Sequence, residues 1–204
     1  VLQLSREDHA RIAGAIRAAE ASTSGEIVCV LARAASDYAA LPVIWAALIA
    51  LTIPWPLIAF TQWPVQWIFA AQILAFAFAY VLLSIGDIRV ALAPRAVRRM
   101  HAHRAAMEQF AIRRITRTRG RTGVLIFVSL AERYARICAD DAIDAKVAQA
   151  AWQTAVEALI AEVKQERLAD GFIVAIERCG TILAEHFPRS AGDENELPDR
   201  IFII

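Results

Sequence analysis

The chain has 204 residues, 58% of them hydrophobic, and a formal net charge of +1. That balance excludes a disordered polyelectrolyte and supplies no overall attraction to nucleic acid. Its three cysteines, Cys29, Cys138 and Cys179, have no CxxC or Cys/His ligand spacing, which excludes a zinc module and reads as buried reduced thiols in a cytoplasmic setting.

Taken in order, Ser5-Arg6-Glu7-Asp8 reads as a helix start. Ser5 can cap free amides, and acidic residues in the first turn suit the helix dipole. Ile12, Ala15, Ile16 and Ala19 follow at helical spacing, and Ser22-Thr23-Ser24-Gly25 ends the helix. Glu26–Leu31 is short, apolar and rich in β-branched residues, a buried strand.

Residues 38–86 then run 49 positions without a charge, between Asp37 and Asp87. Within them, 43–60 and 65–85 are each long enough to cross a bilayer, for which an apolar helix needs ~20 residues. Only Thr61, Gln62, Trp63 and Pro64 separate the two, so a tight transmembrane hairpin is expected, with Trp63 at an interface belt. Pro54 and Pro56 should kink the end of the first span; a re-entrant first segment and a buried pair in a soluble core are the alternatives. An internal, double apolar stretch is no cleavable signal peptide.

Residues 87–122 hold ten arginines against Asp87 and Glu108, a net of +8, whereas 123–204 carry a net of −6. The basic block directly follows the second span, so the positive-inside rule places both termini in the cytoplasm and the 61–64 turn outside, in a multi-pass protein of the inner (cytoplasmic) membrane. Residues 88–118 read as a long basic helix broken near Pro94, which puts Arg95, Arg98 and Arg99 within reach of anionic lipid headgroups, each well-placed charge worth about 1 kcal/mol. The run lacks interleaved aromatics, so nucleic acid is not expected as a partner.

Gly123–Leu130 is the strongest strand signal, and Arg133–Ala139 alternates so that Tyr134, Arg136 and Cys138 face one way. Asp144 is expected to cap a long helix with an apolar stripe through Trp152, Ala155, Leu159 and Val163. Asp170-Gly171 reads as a turn into a fourth strand, Phe172–Ile176, followed by a short helix 181–187 that Pro188 stops and a polar, acidic tail over 190–199. Strands alternating with helices make an α/β domain around a small mixed sheet, interrupted after its first strand by the hairpin. The divisions are 1–40, first helix and strand; 41–86, transmembrane hairpin; 87–122, basic juxtamembrane helix; and 123–204, the rest of the domain. The two halves of one sheet must share a side of the membrane, which two crossings allow.

Candidate chemistry is sparse. Asp140, Asp141 and Asp144 cluster beyond a strand end and offer oxygen ligands to calcium or magnesium, against the plainer reading of a cap and a solvated turn. Glu26 opens a buried strand, where a desolvated carboxyl would have a raised pKa, and His186 could serve phosphoryl transfer. No P-loop, GxGxxG or GxSxG motif occurs.

Thr23-Ser24-Gly25-Glu26-Ile27-Val28, Thr122–Ser129, the 133–141 strand and turn, Trp152, Asp170-Gly171, His186-Phe187-Pro188 and the closing Asn195-Glu196-Leu197-Pro198-Asp199 together resemble the TPM domain family, in its bacterial integral-membrane branch. The family includes the thylakoid-lumen acid phosphatase. The resemblance implies an α/β/α sandwich with a four-stranded sheet. It also implies one of two roles: an interaction, assembly or maintenance module for membrane proteins, or a weak metal-dependent acid phosphatase with divalent metal in an acidic crevice. Ala139-Asp140-Asp141-Ala142 departs from the family's glycine-rich turn.

Overall fold

The computed structural model describes residues 4–190 and 195–204, including all of their side chains except those of 86 and 87. Helix α1 (Arg6–Glu20) starts as its sequence dictates: the Ser5 hydroxyl accepts from the Asp8 amide, and the Asp8 carboxylate accepts from the Ser5 amide, closing a capping box. Strand β1 (Glu26–Ala32) follows, buried at every position. Then come α2 (Ala40–Thr52), α3 (Pro54–Phe60), α4 (Val65–Leu83), α5 (Gly86–Ala91) and α6 (Arg95–Ile112). The α2/α3 break falls at Pro54 and the α5/α6 break at Pro94, where a missing amide hydrogen cannot continue the ladder. Strands β2 (Gly123–Ser129) and β3 (Tyr134–Ala139), helices α7 (Asp141–Asp144), α8 (Gln149–Lys164) and α9 (Leu168–His186), and strand β4 (Ile201–Ile203) complete the order.

Among the described residues the strands form one mixed sheet in the order β3-β2-β1-β4. β1 is parallel to β2 along seven residues and parallel to β4 along three, whereas β2 and β3 are an antiparallel hairpin. Ile12, Ile16, Trp152, Leu159, Phe172, Ile176 and Leu183 from α1, α8 and α9 cover one face. Phe110 and Ala106 from α6, with Ile115, cover the other, over Val28, Val30, Leu125 and Phe127. Helices on both faces of a four-stranded mixed sheet make the expected α/β/α sandwich, and the β3 alternation holds, with Tyr134 and Cys138 on the α6 side and Ala135 and Ile137 on the other.

The expected fourth strand is corrected. Phe172–Ile176 lies inside α9, and the fourth strand is β4 near the chain end. The burial pattern explains why: Leu168, Phe172, Ala175, Ile176, Cys179 and Leu183 are all buried at three-to-four-residue spacing, a helical stripe against the sheet. Asp170-Gly171 is therefore no turn. Gly171 is where α9 crosses α8; a Cβ there would lie 3.1 Å from the Leu159 carbonyl oxygen. The separate helix over 181–187 is the end of α9. The tail expected over 190–199 falls partly outside the described residues.

The chain divides into two compact units, 1–35 with 102–204, and 36–101. The second holds two helices long and apolar enough to cross a membrane, Ala40–Phe60 and Val65–Leu83, with only 11% of each apolar window buried. That exposure argues against the soluble-core alternative, whose helices would be mostly buried. Trp55, Phe60 and Phe78 are more than 70% exposed, whereas Ala46, Ala50 and Ala79 are buried, so small side chains mark the packed side of the hairpin. Asp37, before the hairpin, pairs with Arg89, after it, at 2.9 Å.

Candidate functional site

The motifs scattered along the chain meet at one place, the sheet end where β1 and β2 begin. The Thr23 hydroxyl donates to the Phe187 carbonyl at 2.6 Å and accepts from the Gly25 amide at 3.1 Å. The Thr122 hydroxyl donates to the Ser24 carbonyl at 2.8 Å. Glu26 is 6% exposed, and its two carboxylate oxygens accept from the Glu196 amide at 3.2 Å and the Leu197 amide at 3.1 Å. The Glu196 carboxylate in turn accepts from the Arg119 amide at 3.0 Å. The segment 195–199 is thus strapped to the start of the sheet from both sides.

Beside the strap lies a crevice of about 190 Å³, lined by Arg17, Glu20, Thr23, Glu26, Arg189 and Asp199, among others. Its central group is Glu20, the last residue of α1. β4 pairs back only as far as Cys29, which leaves the Ile27 amide without a strand partner; Glu20 Oε1 accepts from it at 2.8 Å. Burial pushes the Glu20 carboxyl up to about 8, a shift opposed by the Ile27 amide and reinforced by Glu26 and Asp199. Burial also raises Glu26, though its two amide partners hold it back. A protonated carboxyl in a small crevice that two arginines also line is able to donate a proton to an oxygen of a bound anion.

The sequence reading found Glu26 and the closing Asn195–Asp199 stretch but not Glu20, Arg17 or Arg189. An acidic residue ending a helix directly before the Ser-Thr-Ser-Gly turn was the available signal. His186 ends α9, is half-buried, and is not brought into this crevice.

Asp140, Asp141 and Asp144 sit at the same end of the sheet, beyond β3. Asp140 is 3% exposed and caps α7, its Oδ1 accepting from the Asp141 amide at 2.8 Å. The cap expected of Asp144 is therefore corrected: Asp144 ends α7, and α8 begins after Ala148 with no side-chain cap. Asp141 is exposed and paired with Arg121 at 2.8 Å. Partial burial, then Asp141, raises the Asp144 carboxyl. Asp140 Oδ2 is buried without a hydrogen-bond partner, which suits a cation, but among the described residues no three His, Cys, Asp or Glu side chains converge to hold a metal ion. The carboxylates as arranged do not fit a complete calcium or magnesium site. The three cysteines are free and buried; burial raises Cys29 and Cys138 and takes Cys179 up to about 12, so none is a ready nucleophile.

A family model described as the TPM domain matches residues 85–182. No curated protein matches the chain. Among solved structures, the NMR structure of the BA42 protein from the psychrophilic bacterium Bizionia argentinensis is similar in fold, with a TM-score of 0.61 at 22% identity, covering 98% of this chain and 94% of that one.

Proposed function

We propose, from the TPM domain match over residues 85–182 and from two helices of membrane-spanning length placed between the first two strands, a membrane-anchored interaction module of the TPM domain family. In this reading the hairpin spans the bilayer, the α/β domain is presented at the cytoplasmic face, and it assists assembly or maintenance of membrane proteins. The supporting observation is the exposed apolar hairpin, followed by Arg95, Arg98 and Arg99, none of which makes an ion pair among the described residues. Those arginines are free to meet anionic headgroups. Glu26, a buried candidate acid or base, already has both oxygens committed to backbone amides, which favours a structural role for it.

Reporter fusions after residue 204 and within 61–64 test the topology. A cytoplasmic signal from the first and an external signal from the second are expected; the reverse pattern overturns the orientation. For the role, cells lacking the protein should lose assembled membrane complexes on native gels, and Glu20→Gln should restore them. Failure of Glu20→Gln alone to rescue would point to chemistry at the crevice.

A second reading, a weak metal-dependent acid phosphatase, is favoured by one feature, the protonated Glu20 carboxyl beside Arg17 and Arg189. The arginines would hold the phosphomonoester, water would attack its phosphorus, and Glu20 would protonate the leaving oxygen. Hydrolysis of a phosphomonoester by the detergent-purified chain, lost in Glu20→Gln, would support it; no turnover with calcium, magnesium or EDTA would end it.

A further inference from the structure

The helix-covered face of the sheet is not closed everywhere. Where the β2–β3 hairpin turns, α8 leaves the sheet, and a groove of about 470 Å³ opens between them. Ala135 floors it, and Leu159, Ile160 and Val163 of α8 wall it. Ala135, Ile160 and Val163 are only half-buried, so this is an extension of the core that the chain does not fill itself. The methyl of Ala135, on a strand where a larger side chain would be ordinary, leaves the space.

The lip is charged. Arg133 and Lys164 are exposed, and neither makes an ion pair among the described residues. Glu166 also lies at the lip, leaving a net charge of one positive; nearby Glu162 is already taken by Arg167 at 2.7 Å. Arg133 and Glu166 both have left-handed backbones, with φ of 51° and 63°, uncommon for side chains of this size. The turns that carry them are fixed by hydrogen bonds that the Arg133 and Glu166 amides donate, each at 3.1 Å, to the Leu130 and Val163 carbonyls, which holds the two charged lips in place.

We propose that this groove binds a free medium-chain fatty acid, its carboxylate between Arg133 and Lys164 and its tail along Ala135, Ile160 and Val163. The volume lies within the range of small-molecule sites. Counting about 30 Å³ per group, as for water, 470 Å³ takes about sixteen groups, so a single ten-carbon chain with its carboxylate fits and a two-chain phospholipid does not. An apolar channel with unpaired cations at its mouth is complementary to a single-chain anion and opposed to a cationic amphiphile. The site is separate from the crevice beside Glu20, and the inference does not depend on the proposed role.

The test uses the full chain in nanodiscs of zwitterionic lipid, with a decanoic acid bearing a photoactivated diazirine and mass spectrometry of the labelled peptides. Saturable labelling within 128–135 and 159–166 is expected, competed by unlabelled decanoate but not by decyltrimethylammonium. Arg133→Glu combined with Lys164→Glu should weaken competition at least tenfold. Ala135→Phe should abolish labelling while retaining a cooperative melt; should it fail to fold, Ile160→Trp, at the half-exposed wall, serves the same purpose. Labelling confined to 40–83, equal competition by the cation, or undiminished labelling in a folded groove-filling variant would overturn the proposal.

Discussion

Glu20 carries the clearest consequence at the scale of single residues. Its carboxyl is raised in the folded chain from about 4.5 to about 8, so the folded state keeps a proton that the unfolded state releases. The stability this confers is complete below pH 4.5 and is lost as pH rises through about 8; Glu26, raised in the same direction, adds to the slope. The melting temperature should therefore fall between pH 5 and 9, and Glu20→Gln should flatten the fall. A wild-type melt that does not change across that interval would mean Glu20 is ionised at neutral pH. The acidic turn gives a second outcome. Asp140→Ala should cost about 1 kcal/mol, because it removes the cap of α7, whereas Asp144→Ala removes no cap and should cost far less. Chemical denaturation of the two variants separates them.

At the scale of elements, α9 shows what was legible and what was not. Local signals located α1, β1, β2, β3, α8 and both proline breaks, because each carries its own cap, apolar run, apolar stripe, alternation or missing amide. Phe172–Ile176 was misread because five apolar residues after Asp-Gly fit a strand as well as a turn of buried helix. What decides is tertiary: Gly171 and Gly180 let α9 approach α8 and α1, and a Cβ at Gly180 would lie 2.7 Å from the Ala19 Cβ. Gly180→Ala should thus destabilise by about 1–3 kcal/mol despite its better helix propensity, as read by thermal or denaturant melts. If Gly180→Ala were stabilising, α1 and α9 would not be in this contact. β4 was unreadable for the opposite reason: three residues have no period, and only the free edge of β1 gives them a place. The crevice was half legible. Glu26 and the Asn195–Asp199 stretch could be noticed, but Glu20 is drawn to the Ile27 amide only because β4 stops short, and its raised carboxyl comes from the burial that folding imposes there.

At the scale of the whole molecule, β1 belongs at the middle of its sheet, between β2 and β4. Replacing 41–86 by a flexible Gly/Ser linker should leave a folded domain, since loop closure grows only slowly with length. A fragment of 87–204 should not fold, since it lacks the strand to which β2 and β4 both pair. Circular dichroism melts decide: a cooperative transition for the linked chain and none for the fragment are expected, and equal transitions would remove β1 from the core.

The same arrangement sets a schedule during synthesis. Glu26 pairs with Gly123, 97 positions further along the chain, and both apolar helices are made between them. At about 5–20 residues per second, the ribosome takes roughly 5–20 s to deliver that partner. Throughout that interval Glu26–Ala32, apolar at every position but its first, waits with both edges open. Synthesis of the hairpin therefore precedes closure of the sheet, and a chaperone that shields a nascent strand has its moment of greatest use before β2 has left the ribosome.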